Sequence, residues 1–193
     1  MDGKIKILAF AGSARKESFN KKLIKIAVKG AQDAGAEVTL IDLNDFPMPL
    51  YHGDLEDEQG LPENAKKIKK LMIQSDGFLI SSPEYNSSIS GWLKNTIDWA
   101  SRKETKDEAP LIAFKDKIVT LMSTSTGKLG GLRGLVHVRS ILGNIGAIVL
   151  PKQVCVPNAG EAFNDQAQLK DEKQQKEIEN LGKELVTFIS KLK

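Results

Sequence analysis

The sequence predicts an α/β fold, five parallel strands in one sheet with helices on both faces. Three features predict it. Short apolar runs alternate five times with longer amphipathic segments, the pattern of successive βαβ units. The chain has 193 residues, 40% hydrophobic and 27% charged, which suits a well-buried core in one domain spanning 1–193. The connections after the first, third and fourth apolar runs are rich in Gly, Ser, Thr or Pro, and open parallel sheets bind ligands in such loops.

Residues 5–11 (Ile-Lys-Ile-Leu-Ala-Phe-Ala) form a short apolar run ending at Gly12-Ser13, a buried strand entering a loop. From 20 to 34 the spacing of Leu23, Ile24, Ala27 and Ala31 predicts a helix stopped by Gly35. Residues 38–43 read as the second strand. Phe46 to Tyr51 holds two prolines and reads as a loop, and 54–60 as an exposed acidic stretch. Pro62 opens a helix with Ala65, Ile68, Leu71 and Met72 facing inward. Residues 77–82 form the third strand, 83–88 a loop, 91–101 a helix and 102–115 a charged irregular segment. The fourth strand covers 117–122, followed by a loop to Gly131 and a helix over 132–145. The fifth strand lies within 147–156, where Pro151 demands an edge or a bend. A loop over 158–164 precedes a charged final helix, 171–192, with Ile178, Leu181, Leu185 and Ile189 inward.

Composition narrows the function. Lys and Arg total 28 against 25 Asp and Glu, a net charge of only +3 and a weak footprint for nucleic acid or an anionic membrane. No stretch reaches the roughly 18 apolar residues of a spanning helix. The one cysteine, Cys155, excludes an internal disulfide framework and a multi-cysteine metal site. The expectation is a cytoplasmic protein without nucleic-acid or membrane partners. His52 and His137 read as solvated or structural, and Cys155 as an inert core thiol.

The first loop, Gly12 to Asn20, joins a strand to a helix N-terminus, where free N–H groups and the helix dipole favour an anion. Ser13, Ser18 and Asn20 add neutral hydrogen bonds and Arg15 a planar cation, a set suited to phosphate. A helix cap at Ser18 or Asn20 explains the same residues equally well. The second loop, Pro83-Glu84-Tyr85-Asn86, offers backbone groups and an aromatic to a planar heterocycle, or is a turn with a surface tyrosine. The third, Ser123 to Gly131, lets backbone approach a flat ligand closely.

Taken together, Gly-Ser-x-Arg-x-x-Ser-x-Asn, Pro-Glu-Tyr-Asn-x-Ser with Leu-Lys-Asn-x-Ile-Asp-Trp, and Ser-x-Gly-x-x-Gly-Gly resemble the NADPH-dependent FMN reductases across about residues 4–156. That resemblance implies a flavodoxin-like three-layer sandwich with strand order 2-1-3-4-5. It implies bound FMN, reduced by NADPH or NADH, passing two electrons to a quinone, azo compound, chromate or free flavin, with no catalytic side chain. Ser13, Arg15, Ser18 and Asn20 match its phosphate-binding positions. Pro83, Glu84, Tyr85 and Asn86 match the loop along the flavin ring, and Ser123, Ser125, Gly127, Gly130 and Gly131 the loop closing its other side. Many relatives carry Pro where Ser90 stands, a departure expected to loosen the following helix start. The resemblance also implies a homodimer, or a dimer of dimers, through the helix bearing Trp92 and Trp99. A flavodoxin-type electron carrier without NAD(P)H oxidation is the alternative, though such carriers are acidic and their phosphate loops lack arginine. A phospho-receiver would need carboxylates where the first and third strands end in Gly12-Ser13 and Ser82-Pro83.

Overall fold

The five apolar runs become the central sheet, and its interior strands are buried on both faces. In the computed structural model, which describes residues 3–193, β1 (Lys6–Ala11) lies between β2 (Glu37–Asp42) and β3 (Gly77–Ser81). Beyond β3 come β6 (Ile118–Thr124) and β7 (Ile148–Val156), so the parallel order is β2-β1-β3-β6-β7. Counted within this sheet, that is the expected 2-1-3-4-5. The two additional strands, β4 (Glu84–Tyr85) and β5 (Ser88–Ile89), pair as a small antiparallel hairpin in the second loop.

Alternation along β1 sorts its side chains between two cores. Ile7, Ala9 and Ala11 face α1 (Phe19–Asp33) and α7 (Glu172–Ser190), with Leu23, Ala27, Leu181 and Leu185. Leu8 and Phe10 face α3 (Glu63–Gln74), α4 (Gly91–Ala100) and α5 (Leu132–Asn144), with Ile68, Leu93, Ile97 and Val138. Each of these five helices thus buries one apolar stripe, as its sequence periodicity requires.

Three segments depart from the sequence reading. The stretch read only as acidic and exposed holds α2 (Gly53–Gln59), whose first-turn Asp54 and Glu56 suit the helix dipole and whose chain leaves at Gly60, φ +69°. None of its residues is buried, so it carried no apolar periodicity to read. The loop after β7 contains α6 (Ala159–Ala162). The fourth strand continues to Thr124, because Ser123 and Thr124 pair with Cys155 and Val156 of β7. Pro151 does sit on an edge strand, and the β6–β7 register shifts between Val119 and Leu121. Arg139 donates to the carbonyls of Val149 and Pro151 there, closing the irregularity.

Between α1 and α7 the backbones touch. A Cβ on Gly30 would lie 1.9 Å from the Glu179 carbonyl oxygen, and one on Gly182 would lie 2.0 Å from that of Ala27. No side-chain rotation relieves a clash with backbone. Gly182→Ala should therefore cost about 1–3 kcal/mol, the scale for overpacking. A urea unfolding curve should show a lower midpoint with an unchanged slope, and an unchanged midpoint would disprove backbone contact.

Candidate functional site at the carboxyl edge of the sheet

The first, third and fourth sheet strands deliver their loops to one edge, and buried hydrogen bonds tie the loops together. Asn20, in the first turn of α1, is 4% exposed. Its Nδ2 donates to the Thr124 carbonyl at 2.9 Å, and its Oδ1 accepts from Ser81 Oγ at 2.8 Å and from the Thr124 amide at 3.1 Å. The Gly12 amide donates to the Ser81 carbonyl at 2.9 Å. Ser123 Oγ donates to the Ser82 carbonyl at 2.6 Å.

Of the expected phosphate group, Arg15 is exposed, whereas Ser13 and Ser18 are buried. Ser13 Oγ accepts from the Arg15 amide at 3.3 Å, and Ser18 occupies the α1 N-cap position without a side-chain cap bond. Asn20 turns inward as the clamp just described. Among the described residues, the amides of Ala14, Lys16 and Glu17 have no protein acceptor. Three N–H groups without a protein acceptor precede a helix N-terminus, with exposed Arg15 among them, and are donors that would cradle an anion.

In the second loop, Pro83 is buried and leads into the hairpin, where Asn86 and Ser87 have φ of +50° and +66°. Positive φ at both central residues defines a type I′ turn, whose twist matches that of the paired strands. It holds Tyr85 outward, 53% exposed. The Glu84 side chain turns away from the cleft. Its Oε2 accepts from the Arg133 amide at 3.0 Å and the Gly134 amide at 3.3 Å, and its Oε1 from Arg133 Nε at 2.8 Å. Burial pushes this carboxyl up, but the Arg133 guanidinium and the α5 amides outweigh it and hold it below the usual carboxylate range. Glu84 therefore pins the hairpin to the α5 N-terminus. His137 Nδ1 lies 2.9 Å from Ser88 Oγ on the next turn.

Only part of the third loop is loop. Ser123 lies inside β6, fully buried. Gly131, φ +91°, must lack a side chain because a Cβ would lie 1.9 Å from Ser123 Oγ. Gly130 is likewise confined, with Val156 backbone 2.8 Å from any Cβ. Gly127 differs: a Cβ there would approach only Ser125 Oγ, at 3.7 Å, so internal packing does not demand glycine. Open space at Gly127, half-buried Ser125 and the unpartnered amides of the first loop fit a phosphate-bearing planar cofactor.

Sequence reasoning missed Ser90 and Arg133. Far from loosening α4, Ser90 caps it by accepting from the Leu93 amide at 3.1 Å and donates its own hydroxyl to the Gly12 carbonyl. The Ser-x-x-Leu spacing carried a cap signal, but the partner on Gly12 is legible only in three dimensions. Trp99 is fully buried, edge-on to Tyr51 with centroids 5.1 Å apart, and donates to the Pro49 carbonyl at 2.8 Å. Trp92 remains 39% exposed, so the two tryptophans do not share one free face. His52 precedes α2, its ring 3.8 Å from Asp54, and is exposed. Burial, then the Glu84 charge, pushes the half-buried Cys155 thiol up to about 11 and leaves it protonated at neutral pH. Among the described residues no His, Cys, Asp and Glu group suits a metal, and no helix is long and apolar enough to cross a membrane.

Fold and loops together define an α/β protein of flavodoxin-like topology with free amides before the helix that follows its first strand. Residues 5–161 match the family described as NADPH-dependent FMN reductase, and the chain belongs to that family. It is 31% identical over 194 residues, covering all of both chains, to the NAD(P)H-dependent FMN reductase PA1204 of Pseudomonas aeruginosa. It is 36% identical over 152 residues to the quinone reductase of Escherichia coli K12, covering 79% of this chain and 77% of that protein. Its structure resembles FerB, a flavoenzyme NAD(P)H:(acceptor) oxidoreductase from Paracoccus denitrificans, with TM-score 0.77, 27% identity and coverage of 97% and 98%.

Asn20→Ala should cost about 2–4 kcal/mol of stability, because each orphaned buried partner costs about 1–3 kcal/mol. Urea unfolding of the cofactor-free protein reads it. An unchanged midpoint with weakened ligand binding would instead make Asn20 a ligand contact.

Proposed function

We propose that this chain is an FMN-dependent NAD(P)H oxidoreductase, acting as a single domain, that reduces a quinone or a similar flat acceptor such as an azo compound, chromate or free flavin. The observation that carries the reading is the first loop, with the free amides of Ala14, Lys16 and Glu17 beside Arg15 at a helix N-terminus. It is supported by the family match and by relatives named for FMN and quinone reduction.

FMN, when bound, supplies the ring that accepts hydride from the nicotinamide and returns two electrons to the acceptor. The protein's share is positioning. Ser13, Arg15, Ser18 and the loop amides hold the phosphate, with Asn20 fixing the loop from below. Pro83 to Asn86 flank the ring with backbone groups, and the exposed Tyr85 faces an incoming acceptor. Ser125, Gly127, Gly130 and Gly131 close the opposite side, and Ser123 supports them from inside β6. Fixed backbone dipoles stabilise charge on the ring without reorganising. No side chain need serve as acid or nucleophile.

A homodimer, or a dimer of dimers, is supported by the α4 flank, where Trp92 and the 79%-exposed Leu50 border a cavity of about 180 Å³. The lone protonated thiol suits a reducing cytoplasm.

Purified protein should take up FMN and bleach anaerobically on addition of NADPH or NADH; uptake without bleaching would mark an electron carrier. Arg15→Ala should weaken FMN binding by about 1–3 kcal/mol, the scale of a charged hydrogen bond, and unchanged affinity would remove Arg15 from the site. Size-exclusion chromatography at micromolar concentration should give at least the dimer mass, and a monomer would overturn the assembly.

A further inference from the structure

The segment after β7 belongs to none of the three ligand loops, yet it touches two of them. Asn158 and Ala159 donate their amides to the third loop, to the Gly127 carbonyl at 3.4 Å and the Ser125 carbonyl at 2.9 Å. Further on, Phe163 stacks on Phe19, with ring centroids 5.9 Å apart and planes 15° from parallel. Phe19 is the first residue of α1 and follows directly on the first loop. Phe163 is buried, and it lies outside the residues that match the family, which end at 161.

The stack matters because the ordinary device for fixing a helix start is missing. Ser18 stands at the N-cap of α1 but makes no side-chain cap bond. The first turn therefore depends on what its other side chains touch. Asn20 anchors it from beneath. Phe19 anchors it from the flank, against Phe163, with Lys22 Nζ 5.5 Å from its own ring centroid.

That flank is closed on itself. A bridge pairs Phe163 with Leu169, and the Lys170 amide donates to the Ala162 carbonyl at 2.9 Å. Inside the loop, Asn164 Oδ1 accepts from the Gln166 and Gln168 amides at 3.0 and 2.9 Å. Ala167 of this loop lines the same cavity, about 500 Å³, as Lys16, Glu17 and Ser18 of the first loop. Asn158 and Ala159 fasten the segment to the third loop, so the place of Phe163 is set by the site itself.

We propose that Phe163 is a positioning residue for the first loop. Through the Phe19 ring it fixes the start of α1, and with it the Ala14, Lys16 and Glu17 amides, in the arrangement that receives the FMN phosphate. The proposal rests on the FMN reading above. Donors held in place before the anion arrives need no ordering on binding, and that saving appears as affinity. A residue that only filled the core would weaken the binding of every part of the ligand alike. A positioning residue here acts on the phosphate end alone. Riboflavin has the ring of FMN without the phosphate, so the two ligands separate the roles.

The test uses the full-length, cofactor-free protein with FMN and riboflavin as probes. Phe163→Leu keeps an apolar side chain and removes the ring. In fluorescence titrations it should raise the FMN Kd about fivefold, the scale of one aromatic pair, and leave the riboflavin Kd unchanged. Phe19→Leu removes the same stack from its half-buried member, should give the same split, and decides the matter should Phe163→Leu not fold. An unchanged FMN Kd, or FMN and riboflavin weakened alike, overturns the positioning role. If the wild type takes up no FMN, the FMN reading fails, and inorganic phosphate replaces it as the probe. Phosphate should then shift the amide resonances of Ala14, Lys16 and Glu17, with a midpoint about fivefold higher in Phe163→Leu. No shift in the wild type, or equal midpoints, overturns the role.

Discussion

Everything at the carboxyl edge depends on the carboxamide of Asn20. A parallel sheet ends in loops that have no neighbour to define them, and here one side chain joins three of them. Its oxygen accepts from β3 and β6 and its nitrogen donates to β6, while its own backbone opens α1. With water excluded, each bond is stronger than at the surface, and each would be costly to leave unmade. The cradle amides can stay unpartnered because the loop's position is already determined from beneath. Ser90 extends the same logic sideways by tying the Gly12 carbonyl to the α4 cap.

A second layer of constraint is steric. Gly131 leaves room for Ser123 Oγ, and Ser123 Oγ in turn supports the Ser82 carbonyl. Glu84 then fastens the hairpin to the α5 amides and to Arg133. Hairpin, third loop and α5 therefore form one unit, many of whose polar groups satisfy each other. Such a surface is preorganised and presents fixed dipoles to whatever sits against it.

The layering was legible because buried parallel strands announce themselves as apolar runs and their helices as 3.6-residue stripes, whereas the strand order followed only from the resemblance to the FMN reductases. That the three loops meet was legible because the parallel topology places them on one edge. What escaped was direction. Asn20 and Ser123 have the residue type of ligand contacts but point into the protein, and Glu84 spends its charge on α5. Nothing local in the sequence distinguishes a polar side chain turned inward from one turned outward, because the partners lie 41 to 104 positions away. The helix α2 escaped for the opposite reason: it has no fully buried residue, and it is held by Leu55 against the Leu61, Ala65 and Trp99 cluster and by Glu56 meeting Arg102 and Tyr51 across the chain.

The same division explains why one side of the site is exacting and the other open. Selectivity against a wrong partner is strongest where a buried polar group would be left without a bond. On the first-loop side the donors are many but lie in solvent: the amides of Ala14, Lys16 and Glu17 before a helix N-terminus, with exposed Arg15 alongside. On the hairpin side the described residues present chiefly Tyr85, half in solvent on a rigid turn, with the nearby carboxylate already satisfied by Arg133. A flat molecule arriving there loses little if it lacks a particular donor or acceptor. A donor-rich first loop and a donor-poor hairpin thus follow from where the polar side chains turn.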